Sequence, residues 1–318
     1  MSSASHVRVP PRADESGSGE LVVHQSFLTY QNQRYGVLAL FIVAAAALGY
    51  IFDQPSEPPN GGTWLGYTLG TAAALLVCYL AAYGLRRRSF HTPSGSASGW
   101  LSAHVYLGVA ALFIATLHCA FQFGWNVHTA AYVLLALVVL SGCWGVYVYA
   151  RYPGLMVRLR GESSREALLE QLADLDRQAR GLASGVDDVV RQLVDDAARR
   201  TQIGGGVWAQ LRGLDRSAIL TIEAGEHDPV SQIVSNEGQH VLIERLAHEH
   251  AATTDAESAA RLQRLLELAG RKAVLVGKVQ KDIQLQALLQ FWLYIHLPLC
   301  FGLLAALVAH LLAVFFFW

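Results

Sequence analysis

The sequence predicts an all-α integral membrane protein: five transmembrane helices, with a mainly helical insert between the fourth and the fifth. Three observations carry this. Charged residues make up only 15 % of the 318 positions, against 53 % hydrophobic, and the mean hydropathy is +0.31; a soluble domain of this size carries about 25 % charge. Long runs, 35–52, 63–85, 89–150 and 283–318, contain no Asp, Glu, Lys or Arg. All 24 Lys and Arg fall on one side of the resulting topology.

A helix needs about 20 mainly apolar residues to cross roughly 30 Å of hydrocarbon. The run 89–150 is long enough for two spans, divided by the turn-like FGWNVH at 123–128. The expected spans are therefore about 35–52, 63–85, 100–122, 128–150 and 287–316. The first is short enough to suggest a signal-peptide core. However, some 34 polar residues precede it and no small-residue cleavage site is evident, so it reads as a span.

Five spans place the tail 1–34, the loop 86–99 and the segment 151–286 on one side. Arg34, Arg86, Arg87, Arg88, Arg151, Arg158 and Arg160 cluster near span ends there, whereas the other side holds only Asp53 and Glu57. Cationic flanks stay inside. The expected location is a bacterial-type inner membrane, with the N-terminus and insert cytoplasmic and the C-terminus periplasmic.

The organisation follows: a flexible tail at 1–34, spans one to four over 35–150, the insert 151–286 and the last span 287–318. In the insert, Ser163 with Glu166 suggests a capping box, and Leu168, Leu169, Leu172 and Leu175 recur at helical spacing. Val189, Val190, Leu193 and Ala197 continue the period past Gly181 and Gly185. After GGG at 204–206, SAILTIEAG at 217–225 is the one strand-like stretch. HVLIERLAHEH and DAESAARLQRLLELAG are helical again, and the pattern runs through Val276, Val279 and Ile283 into the last span. A helical hairpin under the membrane is the simplest expectation.

Several chemistries are excluded. GGGVWAQLRG lacks the ending of a phosphate loop, and no dinucleotide fingerprint is present. The insert balances 18 basic against 20 acidic residues, which is not a nucleic-acid footprint. Cys78, Cys119, Cys143 and Cys300 all lie in spans, without CxxC or CxxCH, which excludes c-type haem attachment and cysteine-based zinc or iron–sulfur sites. They read as small buried hydrophobes.

The histidines are the chemical signal. His104 and His118 stand 14 residues apart in an uncharged run, and His296 and His310 repeat that spacing in the last span. At about 100° per residue, 14 residues return to within roughly 40° of one face, ~21 Å along the axis. The members of each pair share a face but cannot share one metal ion. The third and fifth spans run in the same direction, so His104 should meet His296 on the cytoplasmic side and His118 should meet His310 on the outer side. Two bis-histidine levels result. A transported-metal site is disfavoured, because each level offers only two nitrogen ligands.

Haem iron takes one imidazole on each face, and a neutral imidazole costs less in hydrocarbon than a carboxylate. Gly108, Ala111 and Ala115 lie along the His104 face, and Gly302 and Ala306 lie in the partner helix, where small residues would clear space for a ring.

On these residues the chain resembles the di-haem b-type cytochromes, four-helix-bundle membrane subunits. Among them it is loosely like cytochrome b of the quinol:cytochrome c reductases, in which two parallel helices each give two histidines about 14 apart. The resemblance spans about 63–150 and 287–318. It implies a di-haem four-helix bundle with two haem b groups on His104, His118, His296 and His310, and electron exchange with quinone. It also implies redox partner subunits, such as a periplasmic multihaem cytochrome or an iron–sulfur protein. The chain lacks the PEWY sequence of the outer quinol site, has only five spans and carries an unfamiliar insert. The two haems are therefore implied more directly than quinol oxidation.

Of the remaining histidines, His128 and His91 read as interfacial, and HEH at 248–250 as solvated surface. Arg86, Arg87 and Arg88 read as topology anchors that could also neutralise haem propionates. The competing expectation is a haem-free membrane anchor or sensor whose cytoplasmic helical domain binds a partner.

Overall fold

A computed structural model describes residues 30–53, 58–88, 96–161, 163–223 and 230–316. Its elements are α1 (Arg34–Phe52), α2 (Trp64–Arg88), α3 (Ala97–His118), α4 (Val127–Arg160), α5 (Arg165–Ala183), α6 (Asp188–Arg199), α7 (Val207–Arg212), β1 (Ala218–Glu223), β2 (Val230–Ser235), α8 (His240–Ala252) and α9 (Ala256–Phe316). A 3-10 turn, Glu237–Gln239, precedes α8.

Five of these helices, α1 to α4 and α9, are long and apolar enough to cross a membrane. The surface they present is apolar too: Leu40, Phe41, Leu75, Leu140, Phe301 and Phe315 are all exposed. Water would disfavour so much contiguous greasy surface, whereas lipid does not. Cys78 and Cys143 lie on this exposed surface rather than in the interior. The expectation of buried cysteines fails for these two, because helices apolar on every side leave part of that apolar surface outside the packed interior.

Helix ends depart from the expected spans for local reasons. Helix α3 stops at His118 rather than 122, since Ala120 and Phe121 take positive φ of 46° and 59°, which no continuing helix accommodates. Asn126 then caps α4 by accepting from the Thr129 amide. Helix α4 runs ten residues past the end of its apolar stretch, through Pro153, to Arg160. It ends at Gly161, whose φ of 63° suits glycine.

Among the five apolar helices, α3 is the most enclosed: Ala103, Ala110, Ala111 and Ile114 have almost no exposed surface. It packs against α1, α2 and α4, while α4 and α9 pack along each other. Ile114 and Leu117 of α3, Leu69 of α2, Leu135 of α4 and Leu303 of α9 share one apolar cluster.

The last apolar stretch and the C-terminal part of the insert form one continuous 61-residue helix, α9, about 90 Å long at 1.5 Å per residue. Around its polar half, Val190, Val194, Ile219, Leu242 and Leu246 pack on Leu262 and Leu265. Closer to the span, Leu168 and Leu172 pack on Val276 and Val279. The insert is thus more than a helical hairpin. The expected strand exists and pairs with a second, missed by the sequence reading, in an antiparallel register from Ala218↔Ser235 to Glu223↔Val230. The α5 cap is also displaced by one residue. Ser164, not Ser163, is the N-cap and accepts from the Ala167 amide.

An ionic joint ties the two halves together. The Asp282 carboxylate of α9 is 1 % exposed and receives both Arg160 at the end of α4 and Arg165 at the start of α5, at 2.6 and 2.5 Å. Burial opposes its charge, but the hydrogen bonds from the two guanidiniums prevail and hold its carboxyl below the usual range. Deeper in the insert, Lys272 pairs with Asp176 at 2.8 Å.

Candidate functional site

His118 is the last residue of α3, and its Nδ1 lies 2.8 Å from the carbonyl oxygen of Gly66 on α2. A carbonyl only accepts, so Nδ1 carries the proton and Nε2 keeps its lone pair. Two glycines on the α2 side make room for this ring. A Cβ added at Gly70 would fall 2.7 Å from His118 Cε1, and one at Gly61 would fall 3.2 Å from it.

His310 on α9 is the next imidazole at this end of the helices. Its ring centre lies 6.1 Å from that of His118, with the planes at 86°. Its Nδ1 is 2.6 Å from Nδ1 of His128, near the start of α4. Three imidazoles from three helices therefore meet at the end remote from the insert. From the sequence His128 is an interfacial histidine, and nothing in its surroundings there points to His310; the contact arises only where α4 and α9 pack.

The second level is built on α4 and α9. His296 is 8 % exposed, and its Nδ1 lies 2.8 Å from Ser141 Oγ. The Ser141 hydroxyl proton goes to the Val138 carbonyl at 2.8 Å. Ser141 Oγ therefore accepts from His296, and Nε2 of His296 is again the unprotonated nitrogen. Trp292 stacks on the His296 ring at 5.1 Å and 24°, held by its indole N–H to the Ser141 carbonyl at 2.6 Å. Gly145 admits the indole, because a Cβ there would overlap it, and a Cβ at Gly142 would sit 3.6 Å from His296 Cε1.

His104 lies in the first half of α3. Its ring tilts against Tyr83 at 5.2 Å, and the Leu80 backbone lies against it. Its Nδ1 is buried with no hydrogen-bond partner among the described residues. Fourteen residues of unbroken α3 separate His104 from His118, about 21 Å.

The structure thus brings His118 beside His310 and sets His104 against Tyr83. It does not set Gly108 or Gly302 against an imidazole. A Cβ at Gly108 would meet Leu80, and one at Gly302 would meet Leu134, each at 3.8 Å. Among the described residues, Gly61, Gly66 and Gly70 lie against His118, and Gly142 lies by His296. Gly66 and Gly70, and Ser141 and Gly145, are small residues four apart, a pattern that marks close helix approach in membranes and was available in the sequence.

Among the described residues, no group of three His, Cys, Asp or Glu side chains could hold a metal ion. In the insert, His240 bonds the Glu237 carbonyl and His248 is exposed. His91 lies outside the described residues, as do the side chains of Arg86, Arg87 and Arg88. No family model, curated protein or solved structure matches the chain.

Proposed function

We propose that the chain is a di-haem b-type membrane subunit that moves single electrons across the bilayer. In this reading His104 with His296, and His118 with His310, are the axial ligands of two haem b groups inside a four-helix bundle of α2, α3, α4 and α9.

The observation that carries it is the state of the ring nitrogens. Histidines that ligate a metal almost always engage their other nitrogen, which fixes the tautomer and the ring orientation. His118 uses Gly66, His296 uses Ser141 and His310 uses His128, in each case through Nδ1. His118 and His296 donate from Nδ1 and so have Nε2 to offer, and His310 does too when its Nδ1 is the donor to His128. His104 adds a buried Nδ1 that has no hydrogen-bond partner among the described residues, which supports the same reading. The 6.1 Å between the His118 and His310 ring centres leaves length for one ion at about 2 Å per bond.

The residues therefore fit a macrocycle that brings its own equatorial ligands. When bound, each haem supplies a one-electron iron couple. The chain's part is to ligate, to orient and to exclude water. Two apolar levels ~21 Å apart place one site in each leaflet. An electron crossing the membrane works with or against about 2.3 kcal/mol per 100 mV.

The chain has no flavin, nicotinamide, iron–sulfur or c-haem motif. Its electrons are exchanged with quinone or with partner subunits, a periplasmic multihaem cytochrome or an iron–sulfur protein, making it an electron-transfer subunit of an oxidoreductase. The cationic flanks put the insert in the cytoplasm of a bacterial-type inner membrane.

A dithionite-reduced minus oxidised spectrum of the purified protein tests this. Two b-type haems per chain support it, and a protein without haem bands returns the chain to the anchor or sensor class.

A further inference from the structure

Helix α7 carries an apolar surface that the electron-transfer reading does not use. Val207 is 66 % and Trp208 70 % exposed, and Leu214 just beyond the helix is 43 % exposed. The opposite side of α7 is anchored: Ala209 is buried, the Leu211 carbonyl accepts from Gln284 Nε2 at 3.1 Å, and Gly204 lies against Ile283. Gly213, at φ 65°, lets the chain turn against Gln284, where a Cβ would be 2.8 Å from its Cδ.

These contacts fix the depth of α7. It sits beside Ile283 and Gln284, where the charge-free run of α9 begins, immediately past Asp282. Helix α4 marks the same zone: beyond Ala150, its extension mixes Arg151, Arg158 and Arg160 with Val157, which is 66 % exposed. Headgroups add about 5–8 Å to each side of a ~30 Å hydrocarbon core, so α7 lies at headgroup depth.

We infer that α7 and its flanks are an interfacial lipid anchor, with Val207 and Trp208 seated at the headgroup–acyl boundary and Arg212 reaching lipid phosphates. Tryptophan is enriched at this boundary because its ring is apolar and its N–H is polar. Arg212 is exposed and follows Trp208 by four residues, on the same helix face. Its aliphatic stem can lie on the apolar layer while its head stays wet. The anchor would fix the insert against the membrane surface. It rests on the membrane-spanning reading of α1 to α4 and α9 and is independent of the haems.

The test uses the full chain in phosphatidylcholine–phosphatidylglycerol vesicles, with Cys78, Cys119, Cys143 and Cys300 replaced by alanine. An environment-sensitive fluorophore is attached at Trp208→Cys, and at Val207→Cys as a second variant. Val189→Cys, exposed on α6 about 30 Å further from the span, is the aqueous control. Phe301→Cys, exposed in the apolar half of α9, is the lipid control. Lipids spin-labelled near the headgroup should quench the probes at 207 and 208 at least about twofold more than the probe at 189, aqueous iodide should quench them less, and lipids spin-labelled deep in the acyl chain should quench the probe at 301. If the Phe301 probe is lipid-quenched while both α7 probes behave like Val189, the anchor is overturned and the spans stand. If the Phe301 probe is also untouched by lipid quencher, the membrane-spanning reading beneath the anchor falls with it.

Discussion

The Nδ1 atoms of His128 and His310 lie 2.6 Å apart, joining α4 to α9 at the end remote from the insert. One nitrogen must donate and the other accept, so this contact holds the His310 ring in a single orientation. On the proposed function, His128 is a positioning residue rather than a ligand. Loss of such partners costs about 10–100-fold in metal affinity. His128→Ala should weaken one of the two haems by that order and shift its midpoint potential while sparing the other, read by redox titration followed at the b-type bands. His128→Asn, which keeps a polar group, should recover part of the loss.

Gly70 makes a sharper steric prediction. Its added methyl would stand 2.7 Å from Cε1 and 2.8 Å from Nδ1 of His118, so the ring must turn away from the Gly66 carbonyl. Gly70→Ala should cost about 1–3 kcal/mol through overpacking and lower the occupancy of the haem held by His118 and His310. Gly108→Ala, facing Leu80 at ordinary contact distance, should leave both haems in place. Haem-to-protein ratios of the two variants make the comparison.

Ser141 is the corresponding residue at the other level. Ser141→Ala removes the acceptor of His296 and leaves a buried N–H unpaired, at about 1–3 kcal/mol. The expected result is selective loss or a shifted potential of the haem held by His104 and His296. Ser141→Thr, which retains the hydroxyl, should behave closer to the parent.

The Asp282 joint predicts a pH dependence. Its carboxyl is held low by Arg160 and Arg165 despite burial. The stability it contributes is therefore full above the unfolded value of about 3.9 and is lost as pH falls through the lower folded value. Asp282→Asn should destabilise by about 2–4 kcal/mol near neutrality, discounted because both arginines are about a quarter exposed. The difference between parent and variant should shrink below about pH 4. Denaturation of the detergent-solubilised protein, followed by circular dichroism, reads both effects.

How much of this could be read from the sequence depends on the range of the interactions involved. The five apolar helices were legible because a charge-free run of about 20 residues has few other uses. The continuity of the insert with the last span was legible in the unbroken period through Val276, Val279 and Ile283. The extension of α4 was not, since Arg151, Arg158 and Arg160 look like the end of a span whether or not the helix continues. The α5 cap was off by one residue because Ser163 and Ser164 are adjacent, and only backbone geometry selects between them. Strand β2 is short and half polar, so its pairing partner rather than its composition defines it.

At the candidate site, the 14-residue spacing marked His104, His118, His296 and His310 without help from the structure. The groups that hold those rings were not legible. Gly66 and Gly70 on α2, Ser141 on α4 and His128 at the start of α4 act across helices, and the register between helices decides which small or polar residue meets an imidazole. For the same reason the helix face that Gly108 shares with His104 does not decide its neighbour: Gly108 lies by Leu80, and Gly302 of α9 lies by Leu134.

The most direct test counts haems per chain in the parent protein and in His104→Ala, His118→Ala, His296→Ala and His310→Ala, by pyridine haemochrome against protein concentration. The account predicts two in the parent, loss of one and the same spectral component in the 118 and 310 variants, and loss of the other in the 104 and 296 variants. A haem-free parent would contradict it, as would variants in which His118 and His310 remove different components.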